Sequence, residues 1–120
     1  MNYKERLKYA TSVYEAGMER VKTIPVPSTQ KFNPGTFVMI AAYLGPSMRH
    51  FENNRPAQVE YTYAHAYGGD DTKTYSLLVR YDDGEWSGVA WYNEEQLTEI
   101  TDPELINQYI LEINKGGNNG

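Results

Sequence analysis

The sequence predicts a mainly β domain with one helix at each end, and three observations predict it. Short runs of alternating apolar and polar residues recur from Thr36 to Ile100, separated by Gly, Asn and Asp turn formers. Segments with apolar residues at steps of three and four bracket that region on both sides. A chain of 120 residues with 40% hydrophobic content suits one compact domain plus small accessory elements.

The N-terminal segment, Asn2 to Lys22, reads as an amphipathic helix because Tyr3, Leu7, Ala10, Tyr14, Met18 and Val21 share one stripe. Gly17 weakens this helix by about 1 kcal/mol relative to Ala. Pro25 and Pro27 must end it. The following stretch, Thr23 to Gly35, holds three prolines and favours an extended connector, so residues 1–29 form an attached helix and linker.

The β domain then spans residues 30–101. Asn33-Pro34-Gly35 makes a turn into a first strand, Thr36 to Tyr43, and Leu44 to Pro56 reads as a long loop. Gln58 to Tyr67, QVEYTYAHAY, places Val59, Tyr61, Tyr63, His65 and Tyr67 on one face if it is a strand. Gly68-Gly69-Asp70-Asp71 turns into Lys73 to Tyr81, where Tyr75, Leu77, Val79 and Tyr81 alternate and Leu78 breaks the pattern. Asp82-Asp83-Gly84-Glu85 leads to Trp86 to Tyr92, with Val89 and Trp91 on one face and Tyr92 on the other. Asn93 to Leu97 reads as a single helical turn before a last strand, Thr98 to Ile100. Five short strands at this spacing, with a one-turn helix before the last, indicate a small SH3-like barrel.

The closing helix, residues 102–116, opens with Asp102 as N-cap and Pro103 at its first position. Leu105, Ile106, Tyr109, Ile110 and Ile113 form its stripe, Gly116 ends it, and residues 117–120 are expected to be a disordered tail. Two striped helices beside a small barrel point to a homodimer, with Leu7, Tyr14, Ile106, Ile110 and Ile113 as contacts.

Composition excludes several functions. The net charge of −5 supplies no basic footprint for phosphate backbones, which argues against direct nucleic-acid binding. With no cysteine there are no disulfides, thiolate metal sites or cysteine nucleophiles, and a reducing cytoplasm fits. No apolar run approaches a membrane span, and the charged N-terminus MNYKERLKYA lacks a signal-peptide core. No metal-ligand motif, phosphate loop or nucleophile elbow is present, so neither a metal, a cofactor nor a catalytic residue is assigned.

What remains is a surface rich in rings. Eleven tyrosines in 120 residues exceed what a small core requires. Tyr63, Tyr67 and Tyr92, with Trp91 and Arg80, form a candidate binding face, because Tyr, Trp and Arg dominate interface hot spots. Arg49, His50 and Arg55 in the loop offer a place for an anion or acidic surface, and His65 and Glu94 complete the candidate set.

The pattern Pro34-Gly35, Met48-Arg49-His50-Phe51, Tyr63 through Tyr67-Gly68-Gly69, and Trp91-Tyr92-Asn93-Glu94-Glu95-Gln96-Leu97 resembles a group of small proteins from bacteria and their phages. The resemblance covers Phe32 to Ile100 and implies an SH3-like barrel in a phage or mobile-element setting. Three functions follow as expectations. The first is a non-enzymatic accessory, host-takeover or anti-defence factor that docks on a host protein. The second is a binder of a nucleotide-like small molecule, held between rings and arginines. The third is a small hydrolase using His50 or His65, for instance with Glu94 and Tyr92 converging on His50.

Overall fold

A single antiparallel sheet organises this chain, and its two faces carry different clusters of buried side chains. The computed structural model describes residues 3–23, 30–41 and 54–117. Helix α1 (Tyr3–Thr23) precedes β1 (Phe37–Ile40) and β2 (Pro56–Thr62), which runs into a short helix α2 (Tyr63–Tyr67). Strands β3 (Thr74–Arg80) and β4 (Trp86–Asn93), a 3₁₀ turn at Glu94–Gln96, β5 (Leu97–Glu99) and helix α3 (Pro103–Gly117) complete the order.

The five strands lie in the order β4-β3-β2-β1-β5, so β4 and β5, adjacent in sequence, occupy opposite edges of an open sheet. The 3₁₀ turn between them carries a capping box in which Asn93 Oδ1 accepts from the Glu95 amide at 3.0 Å and the Asn93 amide donates to Gln96 Oε1 at 3.0 Å. The predicted one-turn helix and closing strand are thus in place.

Period-two alternation on β3 divides the core. Tyr75, Leu77 and Val79 point to one side, where they meet Phe32, Val38, Ile40, Ala57, Val59, Tyr92 and Leu97. Leu78, the residue that broke the sequence pattern, points to the other side and packs with Phe37 against Tyr109 and Ile113 of α3. A fully buried Tyr75 hydroxyl is satisfied by the amides of Lys31 (3.0 Å) and Phe32 (3.1 Å), and burial pushes its phenol pKa up.

The predicted C-terminal helix begins as expected, with Asp102 Oδ1 accepting from the Glu104 amide at 3.0 Å. Most of its stripe lies on its own sheet, with Leu105 left exposed. Ile113 is buried, while Ile106 and Ile110 pack against the same cluster with Trp86 and Ile100. Helix α1 likewise lies on α2 and β2, where Leu7 approaches Gly35 and Tyr14 meets His65. Of the side chains expected to mediate a homodimer, Ile113 is buried, while Leu7, Tyr14, Ile106 and Ile110 are half-buried against neighbours within the chain.

Two strand readings also change. The predicted strand Gln58 to Tyr67 ends at Thr62, and the remainder is α2. Tyr92, expected near solvent, is 6% exposed in the core, whereas Trp91 lies half-exposed on the opposite side. The expected loop Leu44 to Pro56 falls mostly outside the described residues, and Pro56 begins β2. Residues 24–29 of the connector and 118–120 of the tail also lie outside them.

Candidate functional site

The site is built around a change of structure in mid-segment. Thr62 caps α2, its Oγ1 accepting from the His65 amide at 3.2 Å, and two alanines favour the helical turn. Gly68, at φ 86°, ends it by adopting a conformation that side chains resist. In a helix, Tyr63 and Tyr67 stand at i and i+4 on one face, while His65 points the opposite way. The same residues that share a face in a strand are thereby split between solvent and core.

His65 is 1% exposed. Its Nδ1 lies 2.8 Å from Thr62 Oγ1 and its ring meets Tyr14 edge-on at 4.6 Å. Gly17 of α1 presses directly on it: a Cβ at that position would collide with the His65 Cα and ring. The glycine that weakens α1 is what lets α1 and α2 touch.

Two irregularities in the sheet aim the remaining rings. On β2 the ladder passes from Val59↔Leu77 to Tyr61↔Ser76, leaving Glu60 as the extra residue of a bulge. On β4 it passes from Tyr92↔Tyr75 to Ala90↔Ser76, leaving Trp91 as the extra residue. Both bulges flank Ser76, and each turns a side chain out of the regular alternation. Glu60 is nearly buried, accepts from Ser76 Oγ at 2.9 Å and pairs with Arg6 of α1. Tyr61, beside it, meets Tyr9 of α1 at 6.3 Å and Trp91 at 6.2 Å, and burial raises its phenol pKa.

Trp91 is the hub of the resulting cluster. Its ring lies 5.2 Å from Tyr63 and 5.8 Å from Tyr67 at steep angles, and the two tyrosines are 4.9 Å apart. Tyr63 is 42% and Tyr67 69% exposed. Among the described residues five large hydrophobic side chains are exposed, and three of them, Tyr9, Tyr63 and Tyr67, belong to this one cluster. The exposed large hydrophobic side chains among the described residues are thus concentrated here.

Of the residues expected at the site, Tyr63 and Tyr67 are brought together. His65 lies beneath them and Tyr92 is withdrawn into the core. Arg80 is removed to the α3 flank, where Nε and a terminal nitrogen donate to Glu112 at 2.7 and 3.0 Å. Arg55 sits over the Tyr81 ring at 5.2 Å and pairs with Asp82 at 2.9 Å, which holds the Asp82 carboxyl below its usual range. Glu94 starts the 3₁₀ turn half-buried, and its Oε2 has no hydrogen-bond partner among the described residues. Arg49 and His50 lie outside the described residues. Sequence reasoning missed Tyr9 and Glu60. The available signal was that Tyr9 is a large ring standing off the Leu7–Ala10–Tyr14 stripe.

No group of three or more metal-ligating side chains converges among the described residues, and none of their helices is long and apolar enough to cross a membrane. Comparison of the chain with protein-family models, with curated proteins and with solved structures finds no match.

Proposed function

We propose that this chain is a non-enzymatic binding protein, a phage-type accessory factor that docks on a host protein through the ring cluster of α2 and β4. The observation that carries this reading is the exposure of Tyr63 and Tyr67 on a platform made by Trp91, since tyrosine and tryptophan are the residues whose burial dominates interface energy. Each exposed ring already rests on another, so little side-chain freedom is left to lose on binding. A cytoplasmic setting belongs to the same proposal and is supported by the lack of cysteine.

We also infer an SH3-like barrel as the parent architecture. Its support is the order β4-β3-β2-β1-β5 with a 3₁₀ turn joining the two outer strands.

The ring geometry favours a protein over a flat small molecule. A base held between two rings needs their planes roughly 7 Å apart, two van der Waals separations, whereas these centroids stand 4.9 to 5.8 Å apart and tilted. A hydrolase using His65 has no support, because that imidazole is sealed beneath α1.

The test compares the tagged wild type with a Tyr63→Ser/Tyr67→Ser variant in capture from bacterial lysate. A host protein retained by the first and lost by the second, at unchanged circular dichroism, is the expected result. Equal retention by both would place the docking surface elsewhere.

A further inference from the structure

The chemistry of the partner follows from where the charges of this chain are spent, and the inference rests on the docking reading above. Each arginine whose side chain is described is tied to a carboxylate of the same chain: Arg6 to Glu60, Arg55 to Asp82 and Arg80 to Glu112. The exposed cations left among the described side chains are five lysines, against eleven exposed carboxylates. Carboxylates thus outnumber cations on the described surface, as they do in the chain as a whole.

That imbalance continues beside the rings. The loop from Gly68 to Lys73 and the 3₁₀ turn lie at the same end of the sheet as α2, joined by the Glu94 amide donating to Lys73 O at 2.8 Å and by the pairing of Thr74 with Asn93. The loop is fixed to α2 by the Ala64 amide, which donates to Asp71 O at 2.8 Å. Asp71 spends its carboxylate on the Lys73 and Thr74 amides and the Thr74 hydroxyl. Asp70 and Glu95 are exposed at this end with carboxylates that no described residue engages. Lys73 is the exposed cation between them in sequence.

We propose that the occupant of the ring cluster is an arginine-rich segment of a partner protein. A guanidinium is planar, weakly hydrated and attracted to the negative face of an aromatic ring, so it stacks on tyrosine better than an ammonium does. Tyr63 and Tyr67 supply two adjacent exposed rings, and Asp70 and Glu95 supply carboxylates for neighbouring cations. An anionic partner, nucleic acid included, meets repulsion from the same carboxylates.

The test titrates the full chain with a fluorescent Arg-Gly repeat peptide, its Lys-Gly and Glu-Gly counterparts, and a short DNA duplex, at low and high salt. The arginine peptide should bind, the lysine peptide several-fold more weakly, and the glutamate peptide and duplex not at all. Tyr63→Ser/Tyr67→Ser should weaken the arginine peptide by about tenfold, and Asp70→Asn/Glu95→Gln should reduce both its affinity and its salt dependence. Unchanged thermal unfolding of both variants shows that the fold is intact. Arginine-peptide binding that ignores the ring substitutions overturns the proposal, as does preference for the duplex. Self-association by sedimentation, lost in the ring variant, overturns it in favour of a second copy. If the arginine peptide fails while ring-dependent capture from lysate persists, the docking reading stands and the cationic partner does not.

Discussion

Where α3 meets the sheet the contact is made of apolar bulk, and where α1 and α2 meet it the contact is made of small residues and buried polar groups. On the α3 flank Tyr109 packs against Phe37 and Trp86 at 5.7 and 5.4 Å, with Ile113 and Leu78 alongside. Its one buried-edge charge, Glu112, accepts from Arg80, from Trp86 Nε1 at 3.1 Å and from Gln108 at 3.1 Å. On the other flank Ala10 and Gly17 allow close approach, and Glu60, Thr62 and His65 carry the contacts. Burial of apolar surface supplies most of the stabilisation, whereas a hydrogen bond formed at the expense of water gives little net energy but a strict geometry. One flank thus holds the sheet together, and the other sets the positions of Tyr61, Tyr63, Tyr67 and Trp91.

Four substitutions break or sharpen that contrast. The largest effect is expected for Tyr109→Ala, which empties the α3 contact and should cost about 3–5 kcal/mol in urea unfolding. A cost under ~1 kcal/mol would show that α3 is not the stabilising flank.

Gly17→Ala comes next. Helix propensity alone predicts a gain of about 1 kcal/mol. The added methyl must instead push α1 off the His65 backbone, so a net loss of about 1–3 kcal/mol is expected, with altered fluorescence from the nearby rings. A more stable variant would mean that α1 does not bear on α2 at this point.

Glu112→Gln should cost about 1 kcal/mol at neutral pH, because three donors lose their anionic acceptor on a partly exposed surface. Hydrogen bonding from Arg80 holds the folded Glu112 carboxyl below its ordinary value. The stability it contributes is therefore present above the usual glutamate range and is lost as pH falls through the folded pKa. Melts at pH 7 and pH 3 should show the wild type and the variant converging in acid. A gap that persists at pH 3 would assign the cost to packing.

Tyr67→Ser should change stability by no more than ~0.5 kcal/mol, since the ring is largely in water. Its effect belongs to binding. A large loss of stability on this substitution would turn the ring cluster from a recognition surface into part of the core.

Much of the scaffold was legible. Asp102 and Pro103 start α3, Asn93 and Gln96 frame the 3₁₀ turn, and the alternation from Tyr75 to Val79 fixes β3, because each signal acts over a few residues. Even the exception at Leu78 was visible in the chain, although only α3 explains it.

The site was less legible, for reasons of range. Tyr63, His65 and Tyr67 alternate at period two yet also fit i and i+4, and five residues cannot separate the two readings. The decision came from the Thr62 cap and the surface that α1 offers His65. Trp91 and Tyr92 exchanged faces because a bulge shifts the alternation by one residue, and nothing in WSGVAWYN marks where the extra residue falls. Arg80 left the binding face for Glu112, thirty-two positions along the chain. The sequence by itself determined which short segments would be strands, caps and the closing helix, since those preferences are local. Only the tertiary structure decided which rings face solvent and which charges are spent internally, since both depend on partners distant in sequence.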